Sequence, residues 1–141
     1  MKKILPVIVS VIVLLYSCKD NDRQLSDSTE NDLNTATTFL KAALRSDYNA
    51  AEKLVLRDSL NLQDLDAWKR VQLSPEEKQQ LSAASIIIHE TRKVDSVTSI
   101  IQYSNSYRKQ IDSIKVVKVD GEWLVDLKFV FKHKPDTLYQ K

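Results

Sequence analysis

One glycine serves the whole chain, and its position constrains the fold more than any other residue. Gly121 follows Asp120, and the pair separates residues 114–119 from 122–131, two runs rich in β-branched and aromatic side chains. A two-residue connection between strands takes positive φ at its central positions, which Gly adopts freely and Asp tolerates. The spacing predicts a tight antiparallel hairpin in which Val119 opposes Glu122. Lys118 then faces Trp123, Val116 faces Val125 and Ile114 faces Leu127, while Lys115 meets Asp126 on the other surface. Carried to the end of the run, strict alternation puts Trp123, Val125, Leu127, Phe129 and Phe131 on the face toward the core.

Two more β-branched runs, 86–93 and 96–103, precede the hairpin and are split by a polar break at Asp95. Before residue 86 the apolar period is helical. A first helix is expected from about 27–29, carrying Leu33, Ala36, Leu40, Ala43 and Leu44, with Phe39 flanking that stripe. Ser46 and Asp47 break it and cap a short second helix with Ala50, Ala51, Leu54 and Val55. A weakly amphipathic third piece runs through Leu62, Leu65, Trp68 and Val71. Ser74-Pro75-Glu76-Glu77 then reads as a capping box with proline in the first turn, opening a brief helix over 78–84. Helices followed by strands define an α+β fold: three to four N-terminal helices packed on a curved antiparallel sheet of about four strands. Residues 29–141 suffice for one core and are too few for two.

The chain begins with a different signal. Lys2 and Lys3 precede an apolar run from Ile4 to Tyr16, shorter than the about 18–20 residues that span a bilayer, and Leu15-Tyr16-Ser17-Cys18 closes it. This pattern resembles a bacterial lipoprotein signal. The resemblance implies that residues 1–17 are removed, that cleavage falls between Ser17 and Cys18, and that Cys18 carries the acyl chains, palmitate among them. The alternatives are an ordinary secretory signal with an incidental cysteine, or a short anchor. Lys19-Asp20-Asn21-Asp22 is similar to the Lys-plus-acidic surface-export tag of Bacteroidota-type lipoproteins, with a plain polar tether as the alternative. Residues 18–28 are polar apart from Cys18 and Leu25 and form a spacer reaching roughly 30 Å. The expected place is the cell envelope, on the periplasmic or surface-exposed face of the outer membrane, with the membrane as partner through the acyl chains.

Removing residues 1–17 also removes the excess positive charge, leaving 19 basic against 19 acidic side chains. A nucleic-acid partner loses its electrostatic support. With Cys18 the only cysteine, no intramolecular disulfide forms and no thiol remains for catalysis.

Inside the domain, Phe39-Leu40-Lys41-Ala42-Ala43 and the stretch from Asp47 to Leu54 resemble the opening helices of small lipoproteins in the nuclear-transport-factor-2-like (cystatin-like roll) superfamily. Val119-Asp120-Gly121-Glu122-Trp123 is similar to their late hairpin. The resemblance implies a roll, sometimes with a pocket between sheet and helices. Members include enzymes, binding modules and domains of unknown role, so the fold does not transmit a function.

Little catalytic chemistry survives the composition. One glycine excludes a phosphate-cradling loop, a dinucleotide fingerprint and a nucleophile elbow. His89 and His133 lack ligand spacing, so no metal is implied. Asp58, Asn61, Asp64 and Asp66 have the wrong spacing for a calcium loop and no turn glycine. No cofactor is implied. If Ile86 and Ile88 face the core, Glu90 continues that face as a pocket carboxylate; the alternative is a rim position paired with Arg92. Possible pocket residues are Glu90, Tyr103, Trp123 and Phe129, with no catalytic set assembled. Trp68 covers the open end of the sheet or lies at the surface, and His133 belongs to a basic tail, Lys132-His133-Lys134, suited to anionic lipid. The expectation is a lipid-anchored protein with a small non-catalytic domain that binds a ligand or an envelope partner. Its rivals are a pocket enzyme using Glu90 as general base, and a structural or inhibitory module.

Labelled palmitate is expected to enter the protein and to be lost in Cys18→Ser. Replacing Lys19, Asp20 and Asp22 with Ala is expected to lower protease access on intact cells; unchanged access means that these residues are not an export tag.

Overall fold

The computed structural model describes residues 31–131. Four helices precede the sheet: α1 (Asp32–Leu44), α2 (Tyr48–Glu52), α3 (Ser59–Lys69) and α4 (Pro75–Ala83). Four strands follow, β1 (Ile86–Lys93), β2 (Thr98–Asn105), β3 (Asp112–Val119) and β4 (Glu122–Asp126), and a single helical turn, α5 (Lys128–Phe131), ends the described chain. The strands pair antiparallel in sequence order. The class is α+β.

Each helix starts where a side chain can satisfy the exposed amides of the first turn. Asn31 accepts from Asn34 N at 2.7 Å, Asp47 from Ala50 N at 3.1 Å and Asp58 from Asn61 N at 3.0 Å. Ser74 and Glu77 form the reciprocal capping box, with Pro75 in the first turn of α4. The exit of α1 is unusual. Ser46 takes a left-handed φ of 58° so that its amide and that of Asp47 reach back to Ala43 O and Ala42 O. That position usually goes to glycine. Here the same two bonds close α1 and deliver Asp47 directly to the cap of α2.

Helix α1 lies across the inner face and touches all four strands. Ala36, Phe39, Leu40 and Ala43 carry its buried face, so Phe39 is central, whereas Leu33 is 38% exposed. Small alanines let the helix approach closely, and Phe39 fills the space over Ile101, Ile114, Val116 and Val125 in the common core. Residues 54–56 add a parallel bridge along the free edge of β4: Val125 N donates to Leu54 O at 2.7 Å, and Leu56 N donates to Val125 O at 3.0 Å. This covers an edge that would otherwise be open to other chains.

The hairpin follows its expected register as far as it goes. Val119 opposes Glu122, Lys118 opposes Trp123 and Val116 opposes Val125, with Asp120 and Gly121 at φ 51° and 90°. Lys115 reaches Asp126 at 3.2 Å. The expected continuation through Phe131 does not occur. Strand β4 stops at Asp126, and the next amide, Leu127 N, which points away from β3 as Val125 N does, donates to Asn61 Oδ1 of α3 at 2.6 Å. Leu127 still reaches the core, but the chain then coils into α5, and Phe129 is 38% exposed.

The second departure is a β-bulge at His89. Ile88 pairs with Tyr103, whereas Glu90 pairs with Gln102. The extra residue reverses the faces beyond it. Thr91 and Lys93, opposite Ile101 and Ser99, now look inward, while Glu90 and Arg92 look outward.

Asn61 is fully buried, and its amide nitrogen donates to Asp58 at 2.8 Å and to Asp126 at 3.5 Å. Lys128 joins Asp58 at 2.7 Å and Asp126 at 3.7 Å, completing a polar tie between α3, β4 and α5. Burial works against ionisation of Asp58, but Lys128 and the two Asn61 donors outweigh it and hold its pKa at about 2, against an ordinary 3.8.

Asn61→Ala strands the buried Leu127 amide and removes one donor from Asp126, which keeps Lys115 and Lys128, and is expected to cost about 2 kcal/mol in a denaturation experiment. Because the folded pKa of Asp58 lies below its unfolded value, the stability it contributes is present above about pH 4 and fades as pH falls toward about 2. Asp58 is partly exposed, so screening holds the effect to about 1 kcal/mol. Asp58→Asn keeps the cap and is expected to flatten that part of the acid limb; an unchanged slope would show that the tie does not govern it.

Candidate functional site

The core-facing sides of β2 and β3 present different chemistry at their two ends. Near the start of α1, Asp32 is buried and accepts from Ser99 Oγ at 2.5 Å and from Lys93 Nζ at 2.9 Å. Burial opposes the charge on Asp32, yet the Ser99 hydroxyl and Lys93 together lower its pKa. Lys93 and Lys118 also lie over the Trp123 ring, at 5.3 and 5.9 Å from its centroid. This end is filled and internally paired.

The other end is hollow. A cavity of about 180 Å³ lies between the C-terminal half of α1, the ends of α3 and α4, and the far ends of β2 and β3. Its apolar wall comes from Leu40, Ala43 and Leu44 of α1, Trp68 of α3 and Leu81 of α4. Trp68 comes one turn after the buried Leu65, and its ring meets Phe39 edge-on at 5.7 Å. That contact sets the cavity floor beside the main core.

The polar side comes from β2, β3 and their connection. Tyr103 projects inward by alternation with Ile101 and pairs in register with Asp112. Burial, with the Asp112 charge adding to it, pushes the Tyr103 phenol well above its ordinary pKa, so at neutral pH it is an uncharged donor. Asn105 builds the turn: its side-chain oxygen accepts from Tyr107 N at 3.2 Å and Arg108 N at 2.8 Å. Lys109 then takes a left-handed φ of 57°. This geometry brings Arg108 and Gln110 to the cavity, opposite the helices.

Of the four residues proposed from sequence for a pocket, only Tyr103 lines this cavity. Trp123 is 5% exposed and lies at the filled end, about 20 Å away along β3 by strand rise. Phe129 lies on α5, and Glu90 is exposed on the outer face because of the bulge. The general-base role expected for Glu90 therefore has no geometric basis. His89 contacts Ser104 Oγ at 2.9 Å. Asp58 and Asn61 serve the cap and the tie, and among the described residues no three His, Cys, Asp or Glu side chains gather as for a metal ion. Ser17, Cys18, Lys19, Asp20, Asp22 and His133 lie outside the described residues.

The sequence offered two signals that were not exploited. Trp68 stands seven residues after Asn61, on the same helical face, and Asn105 stands where an Asx turn can aim Arg108. Among the described residues no helix is long and apolar enough to cross a membrane. No family model, curated protein or solved structure matches the chain.

Proposed function

We propose that this chain is a lipid-anchored protein of the cell envelope whose α+β domain binds a small, largely apolar ligand between its helices and its sheet. The observation that carries the reading is the cavity itself: largely apolar on the helical side apart from Tyr48 of α2, with most of its polar groups on the strand side. Ligand sites commonly have this composition. At about 180 Å³ it is smaller than the roughly 300–1,000 Å³ of drug-sized sites, and close to the about 150 Å³ that accepts a benzene ring. One ring or one short branched chain fits.

The placement agrees with an anchor. The chain enters the domain at Asn31, beside the filled end of the sheet, and the cavity lies at the opposite end. A lipid anchor at Cys18 would therefore join the domain at the end away from the cavity. Helices preceding a meander, with a hollow between the two layers, also support the cystatin-like roll reading.

Trp123→Phe leaves Trp68 as the only indole, and a panel of single-ring and short branched compounds is then titrated against the full-length protein in detergent. A true ligand is expected to shift Trp68 emission and to stabilise the fold by about 2.7 kcal/mol at a hundredfold excess over Kd. Ala43→Leu, which adds bulk inside the cavity, is expected to abolish both effects while the protein still melts cooperatively. A panel without any binder, or binding that survives Ala43→Leu, would overturn the proposal.

A further inference from the structure

We propose that the ligand of this cavity is a free α-amino acid with an apolar side chain, its carboxylate held by Arg108 and its ammonium by Asp112. The inference rests on the ligand-binding reading above and adds the chemical class. Arg108 and Asp112 both line the cavity, one from the β2–β3 turn and the other from the first residue of β3. The ion pairs among the described residues join lysines to Asp32, Glu52, Asp58, Asp66 and Asp126; neither Arg108 nor Asp112 takes part. Two opposite charges thus line one cavity without an ion pair between them. One Asp112 oxygen accepts from the adjacent Ser113 amide at 2.7 Å, which fixes the carboxylate and leaves its other oxygen for a donor.

Three ligand classes meet this arrangement differently. An apolar carboxylic acid is attracted by Arg108 and repelled by Asp112; an apolar amine meets the reverse. Only a zwitterion satisfies both charges, and an α-amino acid carries them on neighbouring atoms with its apolar group pointing away. The hollow beyond the charges suits a side chain of leucine, methionine or phenylalanine size. Tyr103, kept protonated between burial and Asp112, supplies a neutral donor on the same strand side, together with Asn105 and Gln110. Discrimination comes from the attraction of one ligand charge and the repulsion of the other, moderated by solvent because both side chains are exposed.

The test is calorimetric titration of the full-length protein in detergent at neutral pH with three probes: L-leucine, 4-methylpentanoate (leucine without its amine) and 3-methylbutylamine (leucine without its carboxylate). Leucine is expected to bind at least about tenfold more tightly than either analogue. Arg108→Gln is expected to reduce leucine to the level of the amine, and Asp112→Asn to reduce it to the level of the acid. Both substitutions lie at exposed positions, and the Asn105 bonds to the turn amides are retained. An analogue that binds as well as leucine, or leucine affinity unmoved by both substitutions, rejects the zwitterion and leaves the cavity as a site for another ligand. No binding by any probe, while the wider panel yields a binder blocked by Ala43→Leu, also rejects this inference alone; failure of both experiments removes the ligand-binding reading with it.

Discussion

The hydrogen bond from Leu127 N to the side-chain oxygen of Asn61, 2.6 Å long and buried, decides more of this structure than any apolar contact. It lies at the junction of β4 and α5 and ties α3 to the sheet. Because Leu65 and Trp68 follow Asn61 along the same helical face, the bond also sets where the indole stands. A buried amide is favourable only with its partners in place, and here all of its polar atoms are engaged: Asp58 and Asp126 accept, and Leu127 donates. Lys115 and Lys128 then balance the two carboxylates. The tie confers little stability by itself compared with the apolar core, but it imposes a unique arrangement.

The four-stranded sheet is asymmetric along its length. Near the start of α1 the inward groups are Asp32, Lys93, Ser99, Lys118 and Trp123, paired or stacked among themselves. At the other end the strands carry Tyr103 and Asp112, and the helices offer a hollow in place of complementary side chains. The space is partly open to solvent and is lined by apolar groups of the helices together with polar groups of the strands and their turn. Alanine at position 43 and the edge-on packing of Trp68 against Phe39 leave that space unfilled.

Much of the fold was legible in local sequence because local chemistry decided it. Asp120-Gly121 sets the hairpin register through φ, and Ser74 with Glu77 sets the start of α4 through two reciprocal bonds. The change of apolar period at residue 86 separates helices from strands. Two readings, the length of β4 and the stripe of α1, failed for reasons outside their own segment. Alternation extended β4 through Phe131, but the strand ends at Asp126 and the chain coils into α5, where the side chain of Asn61, from a helix distant in sequence, holds the Leu127 amide. Of the two positions the sequence left open for Glu90, an inward pocket face and an exposed rim, the extra residue at His89 selects an exposed one. The stripe of α1 was centred beside Phe39 because Leu33 kept the period, while the sheet beneath selected Phe39.

The sequence alone determined the class, the order of elements, the caps of α2 and α4 and the hairpin, since each depends on residues a few positions apart; the cap of α1 is Asn31, beyond the start expected at 27–29. It also confined the cysteine and the excess positive charge to the first eighteen residues. Only the tertiary structure decided which polar residues meet. Asn61 and Leu127, Asp32 and Ser99, and the Trp68, Arg108 and Asp112 that surround the hollow come from segments far apart in the chain. Their meeting depends on strand ends, a bulge and a helix position, and these are fixed by competition among distant groups for the same buried partners. No local periodicity records the outcome of that competition.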